Sequence, residues 1–125
     1  MEINFELELP PSINKAFVFN PRIHALARTN EYHEYTNYAY LIIKNTCRKN
    51  KIKPINKFTV VKLYFYLKDK RTDSHNLKKI LFDCMEKGGL FENDKYILDR
   101  TIFVKYDKKK PRIEIGITIN KNNAK

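Results

Sequence analysis

Asp73, His75, Asn76 and Lys79 crowd into the run Arg71-Thr72-Asp73-Ser74-His75-Asn76-Leu77-Lys78-Lys79, and Glu92-Asn93-Asp94 follows about one helix length later. Two acids, an amide and a lysine are the groups that metal-assisted phosphodiester hydrolysis uses. Magnesium takes one or two carboxylates and fills its other positions with water and phosphate oxygens. Bound to a scissile phosphate it activates water, and a nearby ammonium offsets the charge that develops in the transition state. The same residues also have ordinary structural uses, which are the commoner explanation of so short a grouping. Asp73 can be a helix N-cap, worth about 1 kcal/mol, and Asn93-Asp94 a turn. Lys78 and Lys79 can be a solvated face, and His75 an exposed residue of the first turn. Spacing alone leaves both readings open.

The elements that must position these groups are legible as periods. Thr59, Val61, Leu63, Phe65 and Leu67 share one face of a strand over Phe58–Leu67, and Phe58, Val60, Lys62, Tyr64 and Tyr66 share the other. Apolar or aromatic groups on both faces predict a central strand. It ends at Lys68-Asp69-Lys70-Arg71, and a strand end that leads into a helix start is a common place for ligand and catalytic groups. The helix begins near Asp73 or Ser74, and Leu77, Ile80, Leu81, Cys84 and Met85 make its apolar stripe until Gly88-Gly89 stops it. Lys79 falls one turn after His75 and Asn76, on the same flank. For Asp94 to approach Asp73 the helix must fold back across the sheet, which an antiparallel arrangement of the flanking elements allows.

Elsewhere, Ile3, Phe5, Leu7 and Leu9 alternate with polar residues as a half-buried strand that Pro10-Pro11 ends. Ser12–Lys15 reads as a turn, and 16–25 is open between a short strand and a loop. A basic loop with Arg22, His24 and Arg28 leads to Thr29 or Asn30 as a helix cap, and a helix runs from Glu31 to about Arg48 with tyrosines packed on the sheet. Tyr96–Tyr106 reads as a strand; Asp107, Lys108, Lys109, Lys110 and Pro111 as a basic hairpin loop; and Ile113, Ile115, Ile117 and Ile119 as a final strand followed by a polar tail, 120–125. The expected fold is one α+β domain over 1–125. Its order is β-(β)-α-β-α-β-β, with a mixed or antiparallel sheet carrying two main helices on one face and its last two strands paired as a hairpin.

Lys+Arg of 25 against Asp+Glu of 14 gives a net charge of +11 over 125 residues. A field of that size attracts polyanions, nucleic acid foremost. Lysine-rich drift in an AT-rich genome is the plainer source of part of it, and charge says nothing of catalysis. No apolar run approaches the roughly 20 residues of a membrane span, and Met1-Glu2-Ile3-Asn4-Phe5-Glu6 has no signal-peptide pattern. Cys47 and Cys84 have no CxxC spacing and are expected reduced and half-buried, as in a cytoplasmic protein of bacterial or phage origin.

Pro10-Pro11-Ser12-Ile13-Asn14, then Asp73-x-His75-Asn76-x-x-Lys79, an amphipathic helix with Asp83, and Asn93-Asp94-x-x-Ile97 occur in that order. Together with the final strand from Pro111-Arg112-Ile113-Glu114-Ile115, they resemble the RusA-type Holliday-junction resolvases over nearly the whole chain. The family pattern is an early Pro-Pro-Ser-x-Asn, a central Asp-x-Asp-Asn-x-x-Lys, and a later Asp-Asp before a strand. The resemblance implies a homodimeric, Mg²⁺-dependent endonuclease that cuts four-way DNA junctions by paired incisions, with no organic cofactor and no membrane partner. It makes Asp73 and Asp94 metal ligands, Lys79 the catalytic lysine and Asn76 the family asparagine. His75 stands where the family usually has its second aspartate, and Asn93 where it often has the first acid of the pair. The site thereby loses negative charge, while His75 can ligate with a tilt toward Mn²⁺, act as a base or bind phosphate. The expected catalytic set is Asp73, His75, Lys79 and Asp94, with Asp73, His75 and Asp94 as ligands. The expected DNA contacts are Asn76, Arg71, Lys49, Lys51, Lys53, Lys108, Lys109 and Lys110. The alternative is a weak or inactive enzyme that binds junctions through the same basic surface.

Overall fold

The computed structural model describes residues 1–119, apart from the side chains of Ile13 and Asn14. The polar tail expected over 120–125 and the Asn14 side chain of the early motif lie outside the described residues. Strand β1 (Glu2–Leu7) precedes a single helical turn α1 (Ile13–Ala16), the hairpin strands β2 (Phe17–Asn20) and β3 (Ala25–Arg28), and helix α2 (Asn30–Lys49). Strand β4 (Thr59–Leu67), helix α3 (His75–Lys87), a short 3-10 turn (Asp94–Tyr96), β5 (Ile97–Tyr106) and β6 (Arg112–Thr118) follow. The architecture is the expected α+β one. The stretch left open at 16–25 resolves into β2 and the turn that leads to β3.

Period-two burial builds the sheet side of the core. Val61, Leu63, Phe65 and Leu67 of β4 are buried with Ile113, Ile115 and Ile117 of β6 and with Ile3 and Leu7 of β1. The helices close it with period-3.6 stripes: Tyr32, Tyr35, Ala39, Ile43 and Cys47 from α2, and the expected Leu77, Ile80, Leu81, Cys84 and Met85 from α3. Thr29 caps α2, its side-chain oxygen accepting from the Tyr32 N–H at 3.3 Å. Tyr35 is a core residue whose hydroxyl donates to the Glu8 carbonyl at 2.7 Å, so the packing reading of the tyrosines holds there. Cys47 and Cys84 are free, and both are buried rather than half-buried. Burial pushes the Cys84 thiol up to about 12. No helix among the described residues is long and apolar enough to cross a membrane.

The strand order is β1-β6-β4-β5, so the last two strands are not a hairpin. β6 lies between β1 and β4, antiparallel to both, while β5 pairs with β4 in parallel. The cause is α3. It returns the chain along the sheet before β5 begins, and a strand entered after such a crossover runs parallel to the one before it. β6 then takes the other side of β4. The lysine loop carries the chain past the end of β4, where the Asp107 N–H donates to the Leu67 carbonyl at 2.8 Å. The Asp107 carboxylate accepts from the Lys109 and Lys110 N–H groups at 3.1 Å each. A crossing turn organised by one aspartate has the same sequence signals as a hairpin loop.

Gly88 and Gly89 end α3 for different reasons. Gly89 sits at φ +83, where an L side chain is strained, and a Cβ on Gly88 would lie 2.6 Å from Ile43 Cγ2 in the core. Gly89→Ala is expected to cost about 1 kcal/mol from backbone conformation. Gly88→Ala is expected to cost about 1–3 kcal/mol from overpacking, and Ile43→Ala, which removes the Cγ2 methyl, should relieve part of it. Urea unfolding of Gly89→Ala, Gly88→Ala, Ile43→Ala and the Gly88→Ala/Ile43→Ala pair checks this; additivity in the pair would refute the packing cause.

Candidate active site

Asp73 lies in the loop between β4 and α3, and both its carboxylate and its main-chain carbonyl hold the first turn of the helix. Oδ1 accepts from the His75 N–H at 2.9 Å, and the Asp73 carbonyl accepts from the Asn76 N–H at 3.1 Å. Ser74, the residue at the helix boundary, makes no side-chain cap bond. Asp73 therefore starts α3, as the capping reading requires, and still leaves Oδ2 without a partner among the described residues. It also lines an open cleft of ≈ 1430 Å³ with Pro10, Pro11, Lys15, Tyr38, Arg71 and Asn76.

Cations edge this cleft. Arg71 extends into solvent while its N–H and guanidinium donate to Asp69 at 2.9 and 3.1 Å. That guanidinium bond holds the Asp69 carboxyl below its usual value. Lys109 and Lys110 lie on the wall formed by the crossing turn. Arg112, beside them, is a structural cation. It stacks on the Tyr66 ring at 3.7 Å and pairs with Glu114 and Asp107 at 3.1 Å and with Glu6 at 3.5 Å.

The far end of α3 holds the second acid. The Asp94 N–H donates to Glu86 Oε1 at 2.9 Å, and Asn93 caps the 3-10 turn by accepting from the Lys95 N–H at 2.9 Å. Asp83 faces the same region. Burial raises its carboxyl, Lys79 and Lys87 pull it down, and Asp94 pushes it up again. The four-residue spacing of Lys79, Asp83 and Lys87 carries the sequence signal for this charged flank, which the reading of the central motif did not use. Lys79 sits midway, exposed, with Nζ 5.5 Å from the Phe17 ring.

The structure brings Asp73, His75 and Asn76 together and gathers Asp94 with Asp83 and Glu86, but it does not bring Asp73 and Asp94 together. Glu86, which holds the Asp94 backbone, lies eleven residues after His75, or about 16 Å along the helix at 1.5 Å per residue. The antiparallel arrangement needed to fold Asp94 back is absent, because β4 and β5 are parallel and Ile97 pairs with Thr59 at the far end of β4. Two carboxylates on one magnesium must each lie about 2.1 Å from it. Among the described residues of one chain, no three His, Cys, Asp or Glu side chains are placed to hold a metal.

The basic residues divide in the same way. Lys49, Lys51 and Lys53 are exposed where α2 gives way to the segment before β4, close to the bridge between Ile55 and Phe91 and hence on the Asp94 side. Arg71, Lys108, Lys109 and Lys110 are exposed on the Asp73 side.

The two roles of Asp73 separate by substitution. Asp73→Ala is expected to destabilise the protein by about 1 kcal/mol through loss of the cap. Asp73→Asn keeps an accepting Oδ1 and should stay within a few tenths of a kcal/mol of the parent. Chemical denaturation measures both, and equal losses would show that the charge rather than the hydrogen bond starts the helix.

A family model described as Endodeoxyribonuclease RusA matches residues 8–118. The match spans the cleft, α3 and Asp94, and ends with the last residue of β6. No curated protein matches the chain.

Proposed function

The chain belongs to the RusA endodeoxyribonuclease family, and from that premise we propose that it is a divalent-metal-dependent endonuclease of four-way DNA junctions, acting as a cytoplasmic homodimer. The observation that carries this reading is that Asp73, whose Oδ2 has no partner among the described residues, lines a large cleft together with Arg71, Lys109 and Lys110. Mg²⁺ or Mn²⁺ is the metal class this donor suits: a hard carboxylate oxygen, with the other positions left to water and phosphate. When bound, such an ion supplies an activated water and neutralises the phosphate under attack. The chain's own contributions are then specific. Asp73 positions the ion, Asn76 offers an amide to the backbone beside it, and Lys79 brings an ammonium along the flank toward charge that develops on phosphorus. The net charge of +11 draws the polyanion in. A two-fold junction suits a two-fold dimer with one site per subunit.

His75 and Asn93 stand at positions that are acidic in the family pattern, and this favours one second reading: a junction-binding protein with weakened or no cleavage. A synthetic four-way junction incubated with protein and Mg²⁺ or Mn²⁺ separates the two. The expected result is a pair of symmetric nicks that disappear in Asp73→Asn while binding persists. Binding without cleavage in either metal would hand the case to the second reading. Affinity should fall steeply with salt as phosphate contacts release counterions.

His75→Asp adds back the missing carboxylate. It is expected to preserve or raise Mg²⁺-dependent cleavage if position 75 ligates the ion. A loss of cleavage, measured against the same substrate, would assign the imidazole a role of its own.

A further inference from the structure

Both long helices pack on the side of β4 that carries Val61, Leu63, Phe65 and Leu67, so the opposite side of the sheet has no helix over it. We propose that this open face is a second nucleic-acid site, which holds single-stranded DNA by stacking bases on Phe58, Tyr64 and Phe103. The site is separate from the metal chemistry of the cleft and does not depend on it.

Register sets the rings side by side. Phe58, Val60, Lys62, Tyr64 and Tyr66 alternate onto the open side. The pairing of β4 with β5 shifts between Leu63 and Tyr64, and this bulge puts Phe103 opposite Tyr64 and Lys105 opposite Tyr66. Without the shift Ile102 would stand beside Tyr64, and Phe103 would turn to the helix side. As built, Tyr64 and Phe103 are half-buried with ring centroids 5.2 Å apart. At the other end of the strand Phe58 is 66% exposed and leans on Tyr96 at 5.6 Å. It borders a cavity of ≈ 280 Å³ that Lys57, Val60 and Lys62 also line. Phe58 to Tyr66 covers roughly 26 Å at about 3.3 Å per residue, room for a short run of nucleotides.

Charge selects the occupant. Lys62, Arg100 and Lys105 lie among these rings, all exposed and none in an ion pair among the described residues. Lys105 holds its ammonium 4.3 Å from the centre of the Phe103 ring, a place a base takes when the ammonium moves to a phosphate. The acids Glu6 and Glu114 are held at one corner by Arg112, which covers Tyr66. A second copy would set like charge against like, and an apolar partner would leave the cations unused. A single strand uses both, its bases on the rings and its phosphates on the cations, as in sheets that read unpaired strands through aromatic side chains. Membership of an endodeoxyribonuclease family makes DNA the strand.

The test is fluorescence anisotropy of a labelled oligothymidylate of about 12 nucleotides, a size that single-strand modules hold, with the full chain in EDTA. Tyr64→Leu/Phe103→Leu is expected to weaken binding at least about tenfold through lost stacking. Arg100→Gln/Lys105→Gln should flatten the slope of log affinity against log salt by about 1.4, the share of two phosphate contacts on a single strand. Because the ring variant can fail to fold, the parent is also photo-crosslinked to the same oligomer carrying 5-iodouracil, and label on the β4 or β5 peptide is the expected result. Label confined to the cleft residues, or parental affinity in both variants, would overturn the proposal. So would tighter binding of an oligouridylate of equal length, or a change of oligomeric state in the ring variant with its DNA affinity intact.

Discussion

The parallel pairing of β4 with β5 is the constraint from which the rest of the molecule follows. It obliges α3 to run the length of the sheet, sends β6 to the other side of β4, and turns the lysine-rich loop into a crossing over the strand ends. The same pairing fixes where chemistry can sit. Residues just before α3 gather at the C-terminal end of β4, where the strand ends leave room for a cleft. Residues just after it gather at the N-terminal end of β5. Packing of Leu77, Ile80, Leu81, Cys84 and Met85 against the sheet makes this separation rigid, because none of those side chains can slide by a turn without opening the core.

Within that frame the Asp73 side chain starts α3 and is also free to serve the proposed site. A carboxylate has acceptor capacity to spare, so a bond to the His75 N–H still leaves the second oxygen without a partner among the described residues, on a side chain that lines the cleft. The capping and catalytic readings, which competed when only spacing was in view, are therefore compatible.

Local order was well written in the chain. β4 and α3 were readable because each has a clean period and marked ends, and their buried residues are the ones the periods select. Non-local order was not. Nothing in Asp107-Lys108-Lys109-Lys110-Pro111 says whether the next strand pairs with the previous one or passes over its neighbour, because turn chemistry is local and strand choice is decided by which edge of β4 is open. The same blindness affected the acids. Asp73 and Asp94 could be matched to a motif by position, yet their distance depends on whether β4 and β5 run parallel, which no spacing encodes. The Asn14 side chain and the tail over 120–125 lie outside the described residues.

The two departures from the family's acidic pattern differ in kind once the geometry is known. At Asn93 the side chain accepts a hydrogen bond that starts the 3-10 turn, and aspartate would cap as well as asparagine does. What asparagine removes is one negative charge beside Asp94, in a region where Glu86 is already bonded to the backbone and Asp83 is half-buried with a raised carboxyl. Like charges at short range disfavour ionisation, so a neutral residue at 93 spares Asp94 further repulsion. At His75 there is no such crowding. The ring is exposed on the first turn beside Asn76, and an imidazole there replaces charge with a softer donor. On the proposed reading, the loss at 93 tunes an acidic cluster that persists, while the change at 75 alters the chemistry of the site.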